Sequence, residues 1–297
     1  MSFSAPSPAF PCPPRCQYRA IKRHFAALLF CLLSAAAVQA QDPTRGWQWQ
    51  NPLPQGNSIN SIRFTADKRH GWATGGNGVV LRTTNGGFEW EQQQTPANST
   101  LYGLYVKDKS RVVISGARGV ILTTTNGGGR WVQRPTGIRD HLFGVTFAPG
   151  DPLHGWAVGT FGVILVTADG GISWKAQNSR TTAHLFSVSF VNTKLGIAVG
   201  SRGTLLVTNN GGAEWKQALD TGALPLTGVS FTSEKEAYVV GYRGTILKTE
   251  NGGDSWRQIP SLVTTDLFSV FFTDSLHGWA AGESGVVLTT GDGGNIW

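Results

Sequence analysis

The sequence predicts an all-β protein, a β-propeller built from four-stranded antiparallel blades. Three observations carry this. A turn signature, Thr-x-Asn/Asp-Gly-Gly-x-x-Trp, occurs six times; the copies recur at a near-constant interval; and apolar residues alternate with a period of two inside every interval. The signatures close on Trp90, Trp131, Trp174, Trp215, Trp256 and Trp297, spaced 41, 43, 41, 41 and 41 residues apart. A fixed period of that size implies one supersecondary unit per repeat, each burying its faces against its neighbours.

The first forty residues are of another kind. Arg15, Arg19, Lys22 and Arg23 precede an apolar run over 25–38, which ends on Val38-Gln39-Ala40. A basic start, a short apolar stretch and a small-x-small end describe a secretory signal peptide over 1–40, leaving 41–297 as the propeller domain. The run is short for a membrane span, so no stable membrane insertion of the mature chain is expected. The protein is expected outside the cytoplasm, periplasmic or secreted. Cys12, Cys16 and Cys31 all fall in the leader, which leaves the mature chain without a disulfide, a thiol nucleophile or a Cys-ligated metal. Four of the 25 Lys and Arg residues and none of the 18 acids lie there, so the formal +7 falls to +3. With no Lys/Arg run, nucleic acid is not the expected partner. A monomer is expected, and the sequence calls for no cofactor.

Within a period, the elements read in order. In the fourth, "FSVSF", "GIAVG", "TLLVT" and "EWKQA" are strands one to four, separated by connectors rich in Gly, Asn and Lys. The second gives "YGLYV", "VVISG", "VILTT" and "RWVQR", and the fifth "TGVSF", "AYVVG", "TILKT" and "SWRQI". No segment shows helical periodicity. The longer third period takes up its extra residues in "APGDPLHG", between strands one and two, where insertion is cheap.

The signature falls on the turn between strands three and four. Its Gly pair supplies the positive φ of a tight turn. Asn85, Asn126, Asp169, Asn210, Asn251 and Asp292 are placed to accept backbone amides, with the Thr hydroxyl assisting. The Trp is expected to start strand four and pack between blades, each ring contributing roughly 2–3 kcal/mol of burial. This signature resembles the Asp-box, or bacterial neuraminidase repeat, of sialidases and several other propellers. The ring must also close. "GWQWQNP" around Trp49, 41 residues before Trp90, looks like a fourth strand without its first three, and the last repeat ends before its own fourth strand. The strand around Trp49 is expected to pair with residues 286–290 and complete the sixth blade; seven blades is the alternative if the chain is truncated.

Catalytic signatures are sparse. Sialidases pair the box with an Arg-Ile-Pro segment, and "SIRFT" (61–65) lacks the Pro. Among the first-strand segments only Arg63 is charged, so paired carboxylates for glycoside hydrolysis do not stand out. No Gly-x-Ser-x-Gly, His-Glu-x-x-His or phosphate loop occurs. His70, His154 and His277, each in "HGW", occupy equivalent turns of different blades and read as turn residues rather than metal ligands.

Taken together, "WQNPLPQGNSINSIRF" (49–64), "GWAxG" or "GIAVG", Gly-x-Arg-Gly-x-[Ile/Leu]-Leu and the box resemble the photosystem II assembly and stability factor family over 46–297. The resemblance implies a lumenal or periplasmic propeller without catalytic activity. Such a protein binds a newly made reaction-centre polypeptide and assists its incorporation into a membrane complex. It places the chain in the thylakoid lumen if the host is photosynthetic. Members usually carry seven blades, where six are counted here. A carbohydrate-binding or sialidase-like glycosidase propeller is the alternative.

Strand order then sorts the loops. Turns one–two and three–four share one face; turns two–three and the links between blades share the other. Arg118, Arg202 and Arg243 hold one position in the two–three turns of blades two, four and five, where Asn77, Phe161 and Ser284 stand in the others. Links add Arg139 with His141 and Arg180 with His184. Guanidinium groups hold carboxylates bidentately and steer acidic partners, so this face is expected to dock a protein client. The bland reading is that arginine suits an exposed turn. The assembly-factor family is described as having an arginine-rich patch, and the resemblance puts Arg118, Arg202 and Arg243 at it.

Overall fold

Each repeat folds into one antiparallel sheet because its apolar residues alternate and its connectors supply tight turns. The computed structural model describes residues 56–218 and 224–297. The leader and the expected closing strand around Trp49 lie outside the described residues. Six sheets form a six-bladed β-propeller, five of them four-stranded and the sixth three-stranded. No α-helix occurs among the described residues.

The first strands line the axis: Ile59–Phe64, Leu101–Val106, Leu142–Phe147, Leu185–Phe190, Leu226–Phe231 and Leu267–Phe272. Second strands (Gly71–Gly75, Val112–Gly116, Gly155–Gly159, Gly196–Gly200, Ala237–Gly241, Gly278–Gly282) and third strands follow outward in order. The fourth is a short edge of two or three residues, such as Val132–Arg134 or Lys216–Gln217. It begins one residue after the signature Trp rather than on it, because the indole is committed to the blade junction. Short edges present few unpaired backbone groups for unwanted pairing.

The core is a series of junctions between blades. Trp156, Val158 and Ile164 of blade three pack on Leu185, Ala198 and Trp215 of blade four. Ile197, Val199 and Leu205 of blade four meet Leu226, Val239 and Leu247 of blade five. From blade two onward the signature Trp packs toward the preceding blade, as Trp131 does with Trp72 and Val80. Aromatic contacts lock the same seams: Trp156 stacks on Phe190 at 3.4 Å and Tyr238 on Phe272 at 4.2 Å. The Phe that ends a first strand lies on the opening glycine of the second. A Cβ on Gly155 would stand 2.7 Å from the Phe147 ring.

One junction differs. Blade six turns Phe271, Trp279 and Val287 outward, 52, 41 and 49 % exposed, where the equivalent Ile197 and Leu205 of blade four are fully buried. Blade one offers Ile59, Ile62 and Phe64, also exposed, and a small cluster of Ala73, Val79 and Leu81 under Trp90. Among the described residues, the faces of blades six and one are therefore left without the packing found at the other five seams.

Candidate functional site

The two ends of the ring are built differently. At one end, the signature turns are braced by side chains. Thr124 Oγ1 donates to Asn126 Oδ1 at 2.9 Å and accepts the Gly128 amide at 3.0 Å; Asn126 Oδ1 also takes the Arg130 amide at 2.9 Å. The same bonds recur at Thr83 and Asn85, Thr167 and Asp169, Thr208 and Asn210, Thr249 and Asn251, and Thr290 and Asp292. Gly127 and Gly128 take φ of 69° and 90°, which a side chain rarely adopts. The first glycine's amide reaches back to the one–two turn, as Gly211 N to Lys194 O at 2.8 Å, so both turns share this end.

The indoles are held in two ways. Trp131 and Trp215 donate to Gln93 and Gln177 of the preceding blade, both at 3.2 Å. Trp174 and Trp256 donate to their own glycines, Gly171 and Gly253, at 3.1 Å. Trp90 stacks edge-on with Phe64, and Trp297 with Phe272. Nearby, Asp67, Asp151 and Asp274 each meet the histidine three residues on (His70, His154, His277) at 2.7–3.0 Å. The His277 amide, the Leu276 amide and the His277 ring hold Asp274 at a pKa of about 2. No group of three or more metal-ligating side chains is found among the described residues.

The other end carries the two–three turns. Each is a three-residue 3-10 turn whose middle residue is non-glycine at positive φ: Arg118 at 57°, Phe161 at 53°, Arg202 at 57° and Arg243 at 54°. Asn77 and Ser284 complete the set. A bulky residue in this region costs of order 1 kcal/mol or more, which the surroundings must hold in place. In three of the turns they do so from the next blade. The Arg118 amide donates to His141 Nδ1 at 3.2 Å, Phe161 to His184 Nδ1 at 3.1 Å and Arg243 to Asp266 Oδ1 at 2.9 Å. An accepting Nδ1 puts the ring proton on Nε2, so in this arrangement His141 and His184 act as neutral caps rather than as added positive charge.

Arg118, Arg139, Arg202 and Arg243 are exposed and form no salt bridge among the described residues. Arg180 differs: it turns to Glu214 of blade four at 3.4 Å and so is drawn toward the rim. Exposed apolar groups stand among the arginines, with Phe161 67 % and Leu262 86 % exposed, the latter also at positive φ (61°). Among the described residues, acids are fewer here, namely Asp140, Asp266 and Glu283, than among the one–two and three–four turns, where Asp67, Asp108, Asp151, Glu234, Glu250, Asp254 and Asp274 are found.

Between the ends runs a central cavity of about 630 Å³. Tyr102, Phe143, Phe186 and Phe268 ring it toward the arginine-bearing end, with Tyr102 and Phe143 5.2 Å apart and Phe143 and Phe186 5.8 Å apart. A waist of small residues follows: Ser61, Gly103, Gly144, Ser187, Gly228 and Ser269. Toward the box end lie Arg63, Tyr105, Thr146, Ser189, Ser230 and Phe271. Among the described residues its lining contains no Asp or Glu.

Axial first strands, side-chain-braced turns at one end and arginine-bearing turns at the other together define a six-bladed repeat propeller. Within that class, the family described as photosynthesis system II assembly factor YCF48 matches residues 40–138, 133–217 and 173–264, and the chain belongs to it. No curated protein sequence matches the chain. Among solved structures, the chain is similar to YCF48 from Cyanidioschyzon merolae, at 20% identity over 82% of this chain and 98% of that one, TM-score 0.47. It is similar also to a YCF48 bound to D1 peptide, at 19% identity over 80% and 93%, TM-score 0.45. An ancestral GH74 enzyme shares 16% identity over 81% of this chain and 37% of its own, TM-score 0.66, a likeness of fold.

Proposed function

We propose that this protein is a non-enzymatic, exported scaffold that holds a client polypeptide on its two–three-turn face and assists assembly of a membrane protein complex. Membership of an assembly-factor family supports the class. The observation that carries the site is the repeated positive-φ turn: three arginines and a phenylalanine are displayed where glycine or asparagine would cost less, and the turns of Arg118, Phe161 and Arg243 are each capped by a side chain leading into the next blade. Exposed arginine beside exposed aromatic and aliphatic groups suits an acidic, partly apolar segment of chain.

The test is charge reversal. Arg202→Glu with Arg243→Glu should lower the yield of cross-linked client from a membrane extract at least tenfold at low salt, while the melting temperature stays within about 2 °C of wild type. Lys107→Glu with Lys109→Glu, on the box end, is the control. Equal loss from both pairs, or full capture by the arginine double variant, contradicts the proposal.

A further inference from the structure

Among the described residues, Arg63 is the one charged group lining the central cavity, and the docking face makes no use of it. It sits on the first strand of blade one, near the box end of the channel, exposed to water yet crowded by protein. Partial desolvation by the surrounding protein lowers its pKa below the usual arginine value, although a guanidinium remains charged at any physiological pH. It forms no salt bridge among the described residues, and its one hydrogen bond runs from Nη1 to the neighbouring Ile62 carbonyl at 3.1 Å. A crowded cation costs free energy unless something answers its charge, and no lining residue does so. Thr146, Ser189 and Ser230 supply hydroxyls in the same layer of the channel.

We infer that the channel is a carboxylate-binding site, with Arg63 as its anchor. One guanidinium without a second cation matches a single negative charge and its two planar oxygens. A phosphate dianion would be left half-neutralised. The channel also sets what the carboxylate hangs from. From the ring of Tyr102 and Phe143 down to Arg63 is three strand residues, roughly 10 Å, the reach of an extended tripeptide. Small waist residues leave the passage open, and the aromatic ring suits an apolar or aromatic group at the other end of the ligand. This site is separate from the turn arginines and can bind without them.

The probe is acetyl-Phe-Ala-Ala, as free acid and as carboxamide, titrated into the wild-type protein by calorimetry. The acid should bind at least roughly tenfold tighter than the amide, the usual worth of one charge-assisted contact. Arg63→Gln should erase the difference and Arg63→Lys should keep part of it, with melting curves confirming that both fold; Arg202→Glu should leave it intact. Displacement of the acid by millimolar propionate would identify a free organic acid as sufficient; failure of propionate to compete would assign the site to a chain end. Equal binding of acid and amide, or a preference that survives Arg63→Gln, overturns the inference. Either result leaves the turn-face reading to its own charge-reversal test.

Discussion

Thr208 Oγ1 donates to Asn210 Oδ1 at 2.9 Å and accepts the Gly212 amide at 2.9 Å, so one buried hydroxyl serves the turn in both directions. Thr208→Val keeps the shape and strands the buried Gly212 amide. The expected cost is about 1–3 kcal/mol, read as a lower urea midpoint at unchanged slope. Acid should act on the neighbouring turns. Asp274 has its folded-state pKa depressed to about 2, and Asp67 lies well below the usual carboxylate range through the Thr65 hydroxyl and the His70 and Arg69 amides. A depressed carboxylate stabilises fully above its unfolded value near 4, and that contribution is lost as pH falls through the folded value. Stability should therefore be level above about pH 5 with respect to these groups and decline between about pH 4 and 2. Asp274→Asn should flatten part of that decline; an unchanged profile would exclude Asp274 as a contributor. The box residues were legible in the sequence because their partners lie two to four residues away. The caps on Arg118, Phe161 and Arg243 were not, because each comes from 23 residues further on and changes from His to Asp between blades.

At the level of the blade, junctions are fastened by contacts that alternate in chemistry. Gln177 Nε2 and Trp156 Nε1 both reach the Gly211 carbonyl, at 2.9 and 3.0 Å, so blade three grips the box of blade four twice. Between blades five and six, a buried Lys248 does this work, 3.2 Å from the Gly293 carbonyl and 3.0 Å from Glu250, with the Tyr238 hydroxyl on the same carbonyl. Lys248→Met should destabilise by a few kcal/mol, because it leaves that carbonyl and Glu250 short of a partner. Gly155→Ala should also destabilise, since its Cβ would stand 2.7 Å from the Phe147 ring and the strand pair must part to admit it. Equivalent substitution at Gly150, whose Cβ would meet nothing within 4 Å, separates the clash from the positive-φ cost alone. A melt showing Gly155→Ala no worse than Gly150→Ala would contradict this. Strand order and turn positions could be read from alternation and Gly-Gly spacing. The choice of Gln, Trp or Lys as the fastener could not, since it depends on the facing surface of the next blade.

Across the whole ring, the seam between blades six and one stands out. Trp156, 1 % exposed, and Trp279, 41 % exposed, hold the same place in blades three and six. Trp156→Ala should cost about 3–5 kcal/mol and Trp279→Ala much less, about 1 kcal/mol. Equal costs would mean that blade six is covered in solution, as a closed ring requires. The family likeness, the repeat and the arginine positions were all legible in the sequence; the seam was foreseen only as a missing fourth strand, because its exposure depends on faces rather than edges. The central claim is that the client sits on the two–three-turn face. A photoreactive residue placed at position 202, and separately at position 109, should be illuminated in the presence of membrane extract. Adducts of one defined polypeptide from position 202 and none from position 109 are the expected result; adducts from position 109 alone would contradict the account.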